Sequence, residues 1–200
     1  MSKKVNLKVG DILAVHNNSG FLSPKIQFFM KLQGKIKYGV KLDRYYTHMM
    51  IAIDEDYIAE AIMKGFTQRK FSKHYKNLKN IALFRYNEEL TTEQQRKIVI
   101  LGRKLADRNI EYERLNFGWW IPYILSNGKI DLSPKGDKVD DKLFCFEVAA
   151  MLFNEAVPIF DKPDKVTSLD MQMHPKFTEY RFDKDHNMYE HINDKKDKAK

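Results

Sequence analysis

The segment from Leu143 to Ala156 (LFCFEVAAMLFNEA) interrupts its apolar surface only at Glu147, Asn154 and Glu155. A helix that is apolar almost all round is stable only when the rest of the protein is wrapped around it. The sequence therefore predicts one central, buried helix, capped by Asp140 or Asp141 and ended by Pro158 and Pro163. A 23.7 kDa chain with 43% hydrophobic and 12% aromatic residues can supply the surround from a single domain. That domain is expected over residues 1–182, followed by a charged, flexible tail at 183–200 (DKDHNMYEHINDKKDKAK from Asp183). Cys145, in the first turn of the helix, is the only cysteine.

The other elements read as a mixture of strands and helices, an α+β pattern. Gly10-Asp11 precedes the short apolar strand Ile12 to Val15, with Asp11 placed to tie down backbone N–H groups. Ser23-Pro24 opens a helix whose apolar face, Ile26, Phe29, Met30 and Leu32, runs to about residue 33. Tyr46 to Ile53 and Tyr57 to Met63 are two strands around the acidic turn Asp54-Glu55-Asp56. With three residues in that turn, Ile53 faces Tyr57, and the strand period puts His48, Met50 and Ala52 on the same face as Ile58, Glu60 and Ile62. His48 and Glu60 then become diagonal cross-strand neighbours. A two- or four-residue turn would send them to opposite faces.

Asn80 to Tyr86 is a further strand after a basic connector at 64–79, and Thr91 to Gln95 supplies a capping box for a helix to about Arg108. Trp119, Trp120, Pro122, Tyr123, Ile124 and Leu125 form an aromatic cluster that either lines an apolar substrate groove or caps the core. The segment from Thr167 to Phe182 is expected to be partly strand.

The formal net charge of +8 is unevenly spread. Residues 1–40 hold seven lysines against Asp11, and residues 64–79 hold six lysines or arginines and no acid. Such segments suit an anionic partner, including an anionic membrane surface, or else form solvated faces. Nucleic acid is not the expected partner, since zinc-finger spacing, an RNP-like motif and a basic-region heptad are all lacking. No metal or other cofactor is expected: there is no HExxH, and His186 and His191 lack an i, i+4 spacing. No apolar run approaches the roughly 18 residues of a membrane span, and MSKKVNLKVGDIL has no signal-peptide core, so a cytoplasmic protein is expected.

A single thiol at a helix N-terminus is either a small buried hydrophobe or a nucleophile whose thiolate the helix favours. Thiol-dependent acyl transfer also needs a base, a group to orient it and donors for the oxyanion. His48 can take and return the proton, Glu60 can fix the imidazole tautomer, and the first N–H groups of the 143–156 helix can face the oxyanion. An ionised Glu60 between Ala59 and Ala61 is costly unless paired, and Arg44 is an alternative, purely structural partner. Tyr45 or Tyr46 is an alternative third residue of the site.

The order of these parts resembles the permuted NlpC/P60, papain-like hydrolases of the YiiX/YebB type. The resemblance rests on GDIL near the N-terminus, Thr47-His48 before an apolar strand, Tyr57-Ile-Ala-Glu-Ala with a following glycine, Cys145-Phe146-Glu147, and Thr167-Ser168-Leu169-Asp170. It implies a small, barrel-like antiparallel sheet packed with helices, circularly permuted so that the histidine strand precedes the cysteine helix. It also implies Cys145 as nucleophile, His48 as base and Glu60 as third polar residue. The substrate would be a peptide, isopeptide or lipid-linked amide, with Tyr46, Trp119, Trp120 and Phe146 expected to contact it. Related permuted proteins include lipid acyltransferases, so acyl transfer at a membrane face is the alternative, and a catalytically silent module for an anionic partner is a third reading. Phe146 departs from the serine that often follows the cysteine in such proteins, and the aromatic stretch from Phe117 to Leu125 is not part of their pattern.

Overall fold

The computed structural model describes residues 5–17, 23–62, 64–108, 111–112, 122–123, 125–126, 128–130, 142–143 and 145–192. The expected caps Asp140 and Asp141, and Trp119 and Trp120, lie outside the described residues. In chain order the elements are β1 (Ile12–Val15), α1 (Ser23–Lys37), β2 (His48–Ala52), β3 (Tyr57–Ile62), β4 (Gly65–Lys70), a 3-10 segment (Phe71–Asn80), β5 (Ile81–Tyr86) and α2 (Thr92–Asp107). There follow β6 (Glu111–Tyr112), β7 (Lys142–Leu143), α3 (Cys145–Ala156), a 3-10 turn (Pro163–Lys165), α4 (Ser168–Met173), β8 (Phe177–Phe182) and β9 (Met188–Glu190).

Among the described residues seven strands form one sheet in the order β4-β3-β2-β1-β5-β8-β9, antiparallel throughout; β6 and β7 make a separate parallel pair. The protein is thus α+β, as expected. The sheet is open rather than closed, because β4 and β9 are its two edges and do not pair with each other. Lys70 and Arg69 sit on the β4 edge, where charge discourages pairing with another chain.

Both faces of the sheet are covered, which explains why its strands read as apolar runs rather than alternating ones. On one face Ile12, Ala14, Met49, Ile51, Ala59, Ala82 and Phe84 meet Val148, Ala149, Leu152 and Phe153 of α3 in the main core. Helix α3 packs over β2 and β3 and against α2, the central position its composition demands. On the other face Leu13, Met50, Ala52, Ile58 and Leu83 meet Phe71 and Leu78 of the 3-10 segment, with Val5, Leu7 and Phe182. Gly102 lets α2 lie close to the sheet, since a Cβ there would stand 2.9 Å from Ile53 Cγ2 and 3.7 Å from the Ala59 methyl.

Local signals in the sequence act where they should. Thr91 and Gln94 make the reciprocal capping box of α2. Asp11 accepts from the Lys8 backbone N–H at 2.8 Å, and its carboxylate also binds Arg85 at 2.8 and 2.6 Å. Other expectations need correction. Helix α1 continues beyond residue 33 to Lys37, because Gly34 allows close approach to the Val40 carbonyl and Lys37 reaches Asp170 at 2.7 Å. The basic connector at 64–79 is strand β4 followed by the 3-10 segment, and residues 183–200, expected as a flexible tail, contain β9 paired to β8.

Asp170 joins the two ends of the chain. It caps α4 with Thr167, and its carboxylate accepts from Gln33 at 3.1 and 3.2 Å, Lys37 at 2.7 Å and Tyr38 at 2.6 Å. Burial works against its charge, but Lys37 and the hydrogen bonds hold its carboxyl below the ordinary value. Asp170→Ala leaves these donors stranded and is expected to lower the unfolding free energy by about 3 kcal/mol, read by urea denaturation. Because the carboxyl is depressed, its stabilisation is present above the ordinary aspartate range and fades as the pH falls through the depressed value.

Candidate active site

The β2–β3 hairpin sets the geometry. Ile53 N–H donates to the Tyr57 carbonyl at 3.0 Å, so Asp54, Glu55 and Asp56 form a three-residue turn. Met50 then pairs with Glu60 and Ile51 with Ala59, the register expected from that turn length. His48 opens β2 one diagonal step from Glu60, and His48 Nε2 donates to Glu60 Oε2 at 2.8 Å. Ala59 and Ala61 point toward the helical face, so the carboxylate between them points away from it.

Cys145 opens α3 and is hydrogen-bonded to the His48 side chain. Since His48 opens its strand and Cys145 its helix, the two meet at the rim of the sheet, and Glu60 takes Nε2, leaving Nδ1 for the sulfur. Cys145 is 1% exposed, while the His48 side chain retains 23% exposure and forms the solvent-facing side of the pair. Because Cys145 opens α3, the thiol stands at the N-terminal end of that helix, where its first-turn N–H groups gather.

Electrostatics couple the three groups. Burial pushes the His48 imidazolium toward losing its proton, yet the Cys145 thiolate and Glu60 more than offset this, raising its pKa from 6.5 to about 10. Burial likewise opposes ionisation of Glu60, whose side chain is 2% exposed, but His48 and then His74 hold it well below the ordinary carboxylate range. A thiolate–imidazolium–carboxylate row can attack an acyl carbon, deliver a proton to a leaving group and keep the ring oriented while it does so.

Two members of this arrangement escaped sequence reasoning. Arg69 on β4 donates from Nη1 to Glu60 Oε1 at 3.1 Å, and His74 Nε2, stacked beside Phe71, stands 3.9 Å from the same oxygen. Arg44, proposed as the structural partner of Glu60, instead donates to the Lys79 carbonyl at 2.8 Å. The signal for Arg69 lay in the adjacency of β3 and β4, where Ile58 pairs with Arg69 and Glu60 with Thr67.

The aromatic side chains expected at the substrate fall differently. Tyr46 is fully buried and donates to Glu179 Oε1 at 2.7 Å within a network that includes Arg181 and Asp43. Phe146 is buried in the main core, and the Tyr45 hydroxyl accepts from the Leu42 backbone N–H at 3.0 Å. These contacts commit all three to packing. Trp119 and Trp120 lie outside the described residues. Among the described residues no group of histidine, cysteine and carboxylate side chains could hold a metal ion, and no helix is long and apolar enough to cross a membrane.

Comparison of the chain with family models, with curated proteins and with solved structures gives no match.

Glu60→Gln keeps a hydrogen-bonding side chain and removes the charge. It is expected to lower the His48 pKa by at least roughly one unit from its raised value, read by NMR titration of the imidazole. In the unsubstituted protein the His48 contribution to stability is complete below about pH 6.5 and is lost as the pH rises through about 10. The Glu60 contribution is lost at the opposite end, as the pH falls through its depressed pKa.

Proposed function

We propose that this protein is a cysteine-dependent hydrolase that cleaves an amide bond through an acyl-enzyme on Cys145. The observation that carries the reading is the continuous row of hydrogen bonds from Cys145 to His48 to the buried Glu60. The same three positions carry the resemblance to the permuted NlpC/P60, papain-like hydrolases, and the antiparallel sheet with a central cysteine helix is compatible with a fold of that kind.

In the proposed reaction the thiolate adds to the carbonyl carbon, forming a C–S bond while the π electrons move to oxygen. The first-turn N–H groups of α3 stabilise that oxyanion, and their partial positive charge costs no reorganisation during the step. As the oxyanion collapses, the C–N bond breaks and the His48 imidazolium gives its proton to the departing amine. Water then adds to the thioester as neutral His48 takes its proton, the C–S bond breaks, and the carboxylic acid leaves with the thiolate–imidazolium pair restored. Glu60 holds the far ring nitrogen throughout, and Arg69 holds Glu60.

Peptide, isopeptide and lipid-linked amides all meet these requirements. If a lipid hydroxyl or amine replaces water in the second half, the same acyl-enzyme performs acyl transfer, which is the second reading; the exposed apolar and basic surface of α1 favours a lipid acceptor.

Because Cys145 is the only cysteine among 200 residues, alkylation reports it alone. Fluorescent iodoacetamide is expected to label the native protein at pH 6 faster than a urea-denatured control, since an ion-paired thiolate persists where a free thiol of pKa about 8.5 is protonated. Cys145→Ala abolishes labelling, and His48→Ala slows it at pH 6 by roughly tenfold or more and moves the profile toward that of a free thiol. Native labelling no faster than the denatured control from about pH 5 to 8 would leave only the binding-module reading.

A further inference from the structure

From the lysines of helix α1, joined by Lys64 and Lys79 at the rim that carries His48, we propose that this rim docks on an anionic phospholipid surface, with helix α1 lying in the interface. A chain of contacts places the parts together. Val15, the last residue of β1, pairs with His48 on one side and Ile81 on the other. Just beyond it, the His16 N–H donates to the Asn80 carbonyl at 2.7 Å, and Gln27 Nε2 of α1 donates to the Asn17 carbonyl at 3.0 Å. Arg44 ties the segment before β2 to the Lys79 carbonyl, and Arg69 reaches Glu60 from β4. The exit of β1, the start of β2, the close of the 3-10 segment at Lys79 and Asn80 and the first half of α1 therefore share one end of the sheet, while the 3-10 segment opens at the other end, where the Phe71 N–H donates to the Asp56 carbonyl at 2.8 Å.

That end is basic. Helix α1 carries Lys25, Lys31 and Lys35 beside the Asp170-bound Lys37 and no acidic residue, and Lys64, just before β4, and Lys79, near the close of the 3-10 segment, belong to the same end, whereas Arg69 and Lys70 lie opposite Ile58 and Tyr57 toward the other. At the opposite end the turn Asp54-Glu55-Asp56 closes the β2–β3 hairpin, and Asp11, Glu55, Glu88 and Glu89 line one groove of about 640 Å³ together with Lys8 and Arg85. The lysines of α1, with Lys64 and Lys79, give the His48 end a positive surface that attracts a negative one at long range.

The apolar residues of α1 decide what kind of anion fits. Ile26, Met30, Gln33 and Gly34 face the core, so the helix is already anchored, yet Phe28 remains 62% exposed and Ile36 37% exposed beside Lys25, Lys31 and Lys35. A soluble polyanion would use the lysines and leave the phenyl ring idle. A phospholipid surface uses both, with lysines at the phosphates and Phe28 entering the acyl boundary. Docked this way, the exposed side of His48 faces the lipid, so the bond offered to Cys145 belongs to an acyl lipid. This last step rests on the thiol-hydrolase reading; the docking does not.

Co-sedimentation tests it, with vesicles of phosphatidylcholine alone and of phosphatidylcholine containing phosphatidylserine. Binding is expected only to the second, weakening as salt is raised. Phe28→Ser, the pair Lys25→Glu with Lys31→Glu, and the pair Lys64→Glu with Lys79→Glu should each reduce the apparent affinity by roughly tenfold or more. All these side chains are on the surface except for their stems, and circular dichroism checks that each variant is folded. Absence of binding to the anionic vesicles, equal binding to both compositions, or undiminished binding by Phe28→Ser overturns the proposal; in the last case, competition by heparin would identify a soluble-polyanion site instead. Cys145 labelling, followed in the same variants, should be unchanged. A slow label in the unsubstituted protein would count against the hydrolase alone, and a failure to sediment against the docking alone.

Discussion

The carboxylate of Glu60 is the point on which the candidate site turns. It lies in a strand whose neighbours Ala59 and Ala61 are packed into the core, almost wholly removed from water. An ionised group in that position is tolerated only because His48 occupies one oxygen and Arg69 the other, with His74 close behind. The requirement propagates outward. It is met by the register of the β2–β3 hairpin and by the arginine of the adjoining β4, and it holds the His48 ring where Cys145 can meet it. A sheet slipped by one residue would turn His48 and Glu60 to opposite faces and leave a buried charge without a partner.

The rest of the fold keeps that hairpin from moving. Two separate apolar clusters clamp the sheet from its two faces, and the small side chains Gly102 and Ala59 let α2 settle close to the strands. At the other end of the chain Asp170 binds Gln33, Lys37 and Tyr38 while capping α4, so α1 is held to the closing segment before β8. Glu179 and Arg181, buried beneath this region, absorb Tyr46 into a structural network. The polar groups of the protein thus divide into those that fasten segments distant in sequence and those gathered at the rim around His48.

Much of this was legible from short-range pattern. The three-residue turn implied the hairpin register and hence the His48–Glu60 diagonal; Thr91 announced α2; the composition of 143–156 required a central helix. What escaped was of a different kind. The 64–79 segment lacks an apolar alternation, so its strand was hidden; β4 forms because β3 offers it a partner edge, and Arg69 becomes legible only through that pairing. Tyr46 sits two residues from His48 and looked like a neighbour of the site, yet it lies before β2 begins, so the alternation of the strand does not extend to it, and its bond to the buried Glu179 holds it in the core. The length of α1 was underestimated because Lys37 is held by Asp170, more than a hundred residues away.

Sequence by itself determined the local elements: where charge collects, which helix must be central, and which faces of the hairpin its residues occupy. These follow from turn length, residue period and side-chain solvation, each a property of a few consecutive residues. The tertiary structure decided which distant groups share a buried charge, whether the sheet closes, and whether a thiol late in the chain meets an imidazole early in it. Those outcomes depend on strand order and on desolvation by segments far apart in the chain, and only the assembled protein removes the water that makes one partner for Glu60 count for more than another.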